Sequence, residues 1–140
     1  MCALQRPLDD RSQLRIRLEA EAVLAILSEC RAGEAELCSS DALVFEADQN
    51  PHPLRRAYAH ATLAEAYSQQ ELKSEVQNRA TELVALGLKL LDALHLTSAE
   101  EAGANVFCTC DDRLLKRSRN LAIPPLRVFS PLELAQELNV

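Results

Sequence analysis

Two acidic segments in the second half of the chain carry the residue types best suited to chemistry. Asp92 lies in the segment LDALHL, and Asp111 lies in the segment CTCDDRLL. Each segment places a carboxylate where a strand or loop passes into a helix, and ligands of open α/β sheets bind at that edge. Carboxylate oxygens suit a hard cation such as Mg²⁺. The two segments together therefore indicate a divalent-cation site.

Glu46 is a third candidate, because it borders the buried face of a predicted helix. A carboxylate at such a border needs a cation or an arginine as its partner. A paired surface glutamate is the alternative interpretation of Glu46. For Asp92 and Asp111 the alternative is a helix cap, since aspartate accepts hydrogen bonds from the free N–H groups of a helix start. Asp112 is interpreted as the solvated neighbour of Asp111, although the sequence does not separate the two.

Two other polar residues accompany these acids. His95 lies about one helical turn after Asp92 and is able to donate to a phosphate or a carboxylate, with a packed or surface histidine as the alternative. The hydroxyl of Thr109 is able to position a phosphate or a metal-bound water. With three glycines in the whole chain, a glycine-rich phosphate loop is not indicated.

The bulk composition indicates a single domain over residues 1–140, with enough chain to bury a core. The net charge of −6 argues against coating nucleic acid by bulk attraction, but not against gripping phosphates locally. The five cysteines form no CxxC pair, which favours reduced thiols over a zinc site. We find no apolar run of membrane-span length and no secretion signal, so we expect a cytoplasmic protein without membrane association.

Apolar spacing and capping residues predict an alternation of helices and strands. The predicted caps are Asp10 or Ser12 before the first helix, Gly33 after it, Ser40 before the second, and a capping box of Ser130 and Glu133 before the last. The predicted helices cover 12–31, 40–48, 54–67, 71–86, 92–102, 112–119 and a terminal segment after Ser130; the predicted strands cover 35–39, 105–110 and 126–129. Residues 1–7 are predicted to be neither helix nor strand. Strands separated by helices favour an α/β fold, with a parallel sheet between two helical layers.

Three pieces of the sequence resemble the PIN-domain family, and within it the VapC-type ribonuclease toxins of bacterial toxin–antitoxin pairs. They are Ser40 with Glu46 six residues later, the segment GLKLLDALHL over 87–96, and the segment VFCTCDDRLLK over 106–116. No piece is long, but their order and spacing are specific. The resemblance extends over nearly the whole chain.

This resemblance implies a three-layer α/β/α fold in which acidic residues gather at one end of a central parallel sheet. Glu46, Asp92 and Asp111 correspond to the acidic, catalytic cluster, with Asp112 as a further metal ligand. The implied chemistry is Mg²⁺- or Mn²⁺-assisted hydrolysis of an RNA phosphodiester, in which the metal lowers the pKa of a bound water. The implied partners are RNA, a cognate antitoxin protein and a second copy of the chain.

The chain departs from the family pattern at its beginning. Family members start with a strand that ends in aspartate, whereas residues 1–7 correspond to the segment immediately after such a strand. We therefore expect the N-terminal strand and one acidic ligand to be missing, which would weaken or abolish the activity of the 140 residues and make them less stable than a complete family member. A late start codon, a truncated relic and a strand supplied by a partner are the three explanations. The first predicts upstream in-frame codons for an apolar run ending in aspartate.

Three functions compete on this basis. The first is a metal-dependent endoribonuclease, for which the candidate RNA contacts are Arg55, Arg56, Thr109, Lys116, Arg117 and Arg119. For each of the basic residues, a solvated surface position is the alternative. The second function is a non-catalytic PIN-like module that binds RNA or protein. The third is a purely helical interaction protein.

Overall fold

The structure is a computed structural model that describes residues 1–121, 123 and 126–140. Its helices are α1 (Cys2–Gln5), α2 (Leu14–Ala32), α3 (Asp41–Asp48), α4 (Pro53–Ala64), α5 (Ser74–Ala85), α6 (Leu90–Glu101), α7 (Asp112–Leu121) and α8 (Pro131–Glu137), with a 3-10 turn at Arg6–Leu8. Its strands are β1 (Cys38–Ser40), β2 (Ser68–Gln70), β3 (Val106–Cys108) and β4 (Arg127–Phe129). Within these ranges, no helix has both the length and the apolar character needed to cross a membrane.

Local sequence signals set several of the helix ends. The Ser40 hydroxyl accepts a hydrogen bond from the Leu43 N–H and so caps α3, as predicted. Ser130 and Glu133 form the predicted capping box at the start of α8. Helix α2 ends at Gly33, whose φ of 83° lies in the left-handed region that glycine enters without steric cost. These three ends confirm the predicted capping residues, whereas the predicted cap of α2 by Asp10 or Ser12 is wrong, because Gln13 precedes the helix and no side chain caps it.

The strands form two parallel pairs. Strand β1 pairs with β2 from Cys38 opposite Ser68, and β3 pairs with β4 from Val106 opposite Arg127. The α/β class with parallel strands is therefore confirmed. Among the described residues, however, the sheet is divided into two two-stranded pieces where one central sheet was expected.

One strand was missed and one local prediction was wrong. No helix or strand was predicted for residues 68–70, which form β2. Their polar Ser-Gln-Gln sequence carries no strand signal, and the strand forms by pairing with β1. Cys2–Gln5, predicted to be irregular, forms the short helix α1. Its Ala3 and Gln5 are buried, and the Gln5 side chain donates to the Arg55 carbonyl. Tertiary packing thus decides the structure of both segments.

The main core lies where α5, α6, α7 and β4 meet. Leu83, Leu96, Leu114 and Val128 are buried together there. A second cluster joins α3 to α4 through Ala47, Ala59 and Leu63, and the first residues of the chain pack against it. Helix α6 also contacts β1 and β3, so it links the two strand pairs.

We predict that Leu96→Ala lowers the free energy of unfolding by about 2–5 kcal/mol, because it leaves a cavity in the core. Leu96 is 0% exposed, whereas Leu90 in the same helix is 61% exposed. Chemical denaturation of both variants measures the difference. Leu90→Ala is the matched control and should cost less than about 1 kcal/mol. Equal effects of the two substitutions would contradict the placement of this core.

Candidate functional site

The predicted acids lie around one end of α6. Glu46 is on α3, which follows β1 directly, and Asp111 is in the turn between β3 and α7. Asp92 is the third residue of α6 and lies in its first turn. It is not the cap of that helix, since the residue before the helix is Lys89. The fold therefore brings three distant segments of the sequence to the same region.

Glu46 is held by His95. The Nε2 atom of His95 lies 2.6 Å from Glu46 Oε2, and the imidazole is buried, whereas the Glu46 side chain is 31% exposed. Burial raises the pKa of Glu46, but the hydrogen bond from His95 and the positive Met1 amino group outweigh it and lower the pKa. Glu46 is thus an oriented carboxylate. The sequence left open whether His95 is packed or bonds to a carboxylate, and the structure shows it both buried and bonded to Glu46.

Asp92 has the opposite electrostatic environment. Burial raises its pKa, and the negative charge of Asp111 raises it further. His95 and Lys89 oppose this shift, and the charge of Glu46 makes the smallest contribution, again upward. The ionised carboxylate of Asp92 is therefore unfavourable in the folded protein. An ionisable group destabilised by neighbouring like charges is typical of a functional site.

Asp111 and Asp112 have different roles. The Oδ1 atom of Asp111 accepts hydrogen bonds from the Arg113 and Leu114 N–H groups, so Asp111 caps α7. Asp112 is 68% exposed and receives two hydrogen bonds from the Arg15 guanidinium, which lower its pKa. Metal ligation by either residue stays a prediction, and for Asp112 it would compete with the ion pair to Arg15.

The basic network that holds Asp112 was not predicted from the sequence. The side chain of Glu19 is 4% exposed and accepts hydrogen bonds from Arg6 at 3.1 Å and from Arg15 at 2.5 Å. The spacing of four residues between Arg15 and Glu19 was the available local signal. The link from Arg15 to Asp112 spans 97 positions in the sequence and has no local signal.

Thr109 supports Asp111 from inside the protein. Its side chain is 2% exposed, and its hydroxyl accepts a hydrogen bond from the Asp111 N–H at 3.0 Å. The same oxygen lies 3.4 Å from the sulfur of Cys2. The pKa of the Cys2 thiol is lowered to about 5, mainly by a hydrogen bond with Cys110. Burial opposes this shift, and the Thr109 hydroxyl and the positive Met1 amino group add to it. Thr109 therefore positions Asp111, and a direct RNA contact from it stays a prediction.

Most of the predicted RNA-binding cations have partners within the protein. Arg55 pairs with Asp9, Arg119 pairs with Glu133, Arg56 donates to the Asn50 carbonyl and Arg117 donates to the Gly87 carbonyl. Lys116 is exposed on α7. Their contacts to RNA stay predictions. Arg55 and Arg56 lie on α4, whereas the other three cations lie on α7.

The acids match a divalent cation in their chemistry, because a cation would relieve the repulsion felt by Asp92. Their geometry is less complete. Across residues 1–121, 123 and 126–140, no group of three or more His, Cys, Asp or Glu side chains is arranged to hold a metal ion. Convergence of Glu46, Asp92 and Asp111 on one ion therefore stays a prediction, and it would need a further ligand or a rearrangement.

We predict that Asp92→Asn stabilises the folded protein at pH 7. The raised pKa means that the folded state binds the proton more tightly than the unfolded state, so stability falls as pH rises from about 3.8 through the folded-state value. Removing this charge should raise Tm by about 1–3 °C at pH 7, and the gain should vanish below pH ~3.8. Calorimetry across pH measures it, with exposed Asp10→Asn as control. A destabilised variant, or a gain that persists in acid, would contradict the electrostatic account.

Comparison with known proteins gives one family match. The family model described as PIN domain matches residues 3–120 of the chain. A search of curated proteins finds no match. The matched range runs from α1 to α7 and includes Glu46, Asp92 and Asp111. Because this match covers most of its length, the chain belongs to the PIN-domain family.

Proposed function

We propose that this PIN domain is a metal-dependent endoribonuclease and the toxin of a type II toxin–antitoxin pair. The observation that carries the proposal is the placement of three acids from distant segments around the start of α6, with Glu46 bonded to His95 and Asp111 close enough to Asp92 to raise its pKa together with burial. Carboxylates that repel one another in this way concentrate negative potential where a divalent cation is needed. Membership of a family that is generally nuclease-like supports the same reaction class.

The chain's own residues have distinct roles in this proposal. Asp92 and Asp111, with Glu46, supply the oxygen ligands of Mg²⁺ or Mn²⁺. His95 orients Glu46 and limits its rotation. A bound cation supplies a water of lowered pKa and offsets charge on the departing oxygen. Asp112 joins the site only when its ion pair with Arg15 breaks, for example because Arg15 binds an RNA phosphate instead.

RNA binding in this proposal begins on α7. Lys116 is exposed, and Arg117 and Arg119 lie on the same helix, which follows Asp111 directly. Exchange of their present partners for RNA phosphates would place the backbone of the RNA beside the acids. Arg55 and Arg56, on α4, would contact another part of the same RNA. We further propose that the protein acts in the cytoplasm, as a monomer or homodimer, and is inhibited by a cognate antitoxin.

A second function has one observation in its favour. Among the described residues, no group of three His, Cys, Asp or Glu side chains is arranged to hold a metal. This is the arrangement expected of a PIN-like module that binds RNA or protein without catalysis. Such a module would keep the basic surface and use the acids as helix caps and ion-pair partners, as Asp111 and Asp112 are used here.

We expect cleavage of a mixed RNA substrate with Mg²⁺ or Mn²⁺ and none with EDTA. Asp92→Asn should reduce the rate by on the order of 100-fold or more, the size expected for loss of a charge-stabilising group. Asp48→Asn is the matched control, because Asp48 is exposed on the same helix as Glu46 and pairs with His60. Gel electrophoresis of end-labelled RNA measures the rates.

Folding must be intact for this comparison, so circular dichroism accompanies each rate. The binding-module alternative predicts RNA affinity in a gel-shift assay with no metal-dependent cleavage. Equal cleavage by the wild type and Asp92→Asn, or cleavage that persists in EDTA, would contradict the proposed enzyme. Loss of cleavage in Asp48→Asn would show that the effect is not specific to the acidic site.

A further inference from the structure

Two thiols from distant parts of the sequence lie side by side at the turn between β3 and α7. The sulfur of Cys2 lies 3.4 Å from the hydroxyl oxygen of Thr109. That hydroxyl accepts the Asp111 N–H, so it closes a turn around Cys110, the residue between the two. Cys2 also bonds with both the side chain and the backbone of Cys110. The thiol of α1 is therefore in contact with the thiol of this turn.

Charged side chains hold the two segments against each other. Arg6 and Arg15 donate to the Glu19 carboxylate at 3.1 and 2.5 Å, and the Glu19 side chain is 4% exposed. Arg15 also donates to the Cys110 carbonyl at 3.4 Å. The thiol of Cys110 itself contacts the side chains of Arg6 and Glu19. Because Arg6 directly follows α1, this network fixes the helix that carries Cys2 against the turn that carries Cys110.

The two thiols differ in their access to solvent. Cys2 is exposed, whereas Cys110 is 7% exposed. The pKa of Cys2 is about 5, mainly because of its hydrogen bond with Cys110, so Cys2 is largely ionised at neutral pH. The thiolate is the form of cysteine that reacts with oxidants. Oxidation-sensitive cysteines are typically accessible thiolates beside a second thiol that reacts with the first oxidation product. Cys2 and Cys110 have this arrangement.

Two other cysteines have the opposite environment. Burial raises the pKa of the Cys30 thiol. Burial also raises the pKa of Cys108 to about 12, and the negative charge of Cys2 adds to this shift. Both thiols are therefore protonated at neutral pH and react slowly with oxidants. They provide comparisons for Cys2 within the same chain.

We propose that Cys2 is an oxidation site for hydroperoxides and that Cys110 converts its first oxidation product into a disulfide. In the first step, the Cys2 thiolate attacks one oxygen of hydrogen peroxide, the O–O bond breaks and hydroxide leaves. The product is the sulfenic acid of Cys2. In the second step, the Cys110 sulfur attacks the Cys2 sulfur, and the sulfenic hydroxyl leaves with the Cys110 proton as water.

The two steps together oxidise two thiols by two electrons and reduce the peroxide to water. The resulting disulfide joins α1 covalently to the turn between β3 and α7. In a reducing compartment such bonds are typically transient and report on oxidants rather than stabilise the fold. This oxidation is independent of nuclease activity, because no acidic residue or metal takes part in it.

The test treats the full chain with a small molar excess of hydrogen peroxide at neutral pH, without RNA or metal. We expect the intact protein to lose the mass of two hydrogen atoms and to regain it with dithiothreitol. Peptide mapping by mass spectrometry should find Cys2 joined to Cys110 within one chain. This measurement needs no variant, so it does not depend on the folding of any mutant.

Two substitutions separate the roles of the thiols. Cys2→Ser should abolish the disulfide. Cys110→Ala should stop the reaction at the sulfenic acid of Cys2, so dimedone, which traps sulfenic acids, should label Cys2 at least about tenfold more than in the wild type. Cys108→Ser is the matched control and should form the disulfide at the wild-type rate. Circular dichroism checks the fold of each variant.

A main product that joins Cys2 to Cys108, Cys30 to Cys38, or Cys2 to a second copy of the chain would overturn the proposal. Cys2 that stays reduced while Cys30 or Cys108 is oxidised would overturn it as well. Equal dimedone labelling of Cys2 in the wild type and in folded Cys110→Ala would show that Cys110 does not react with the sulfenic acid. Loss of RNA cleavage would bear only on the nuclease proposal.

Discussion

The hydrogen bond between His95 and Glu46 holds together parts of the fold that no strand pairing connects. It fixes the start of α6 to the helix that follows β1, while the other end of α6 leads into β3. Helix α6 and its buried histidine therefore help to hold the two strand pairs in position, together with the packing of α2 against α8 and the ion pair from Arg15 to Asp112. The same bond lowers the pKa of Glu46 and brings its charge near Asp92, so the architecture and the electrostatics of the acidic region have a common origin.

Features that depend on neighbouring residues were predictable from the sequence. The caps at Ser40 and Ser130 were identified because their partners lie three residues away. Helix α4 was predicted to reach Tyr67 but ends at Ala64, since the Tyr67 N–H bonds to the Leu37 carbonyl instead. Strand β2 escaped prediction for the same reason, because its pairing with β1 is not encoded in its own polar residues.

In the candidate site too, features set by local sequence were predictable, whereas contacts between distant residues were not. Spacing and composition identified Glu46, Asp92 and Asp111, because each adjoins a predicted helix start or a buried face. The sequence could not assign their partners. His95 lies 49 positions from Glu46, and Arg15 lies 97 positions from Asp112, so only the folded chain shows that one acid is oriented by a histidine and another is held by an arginine.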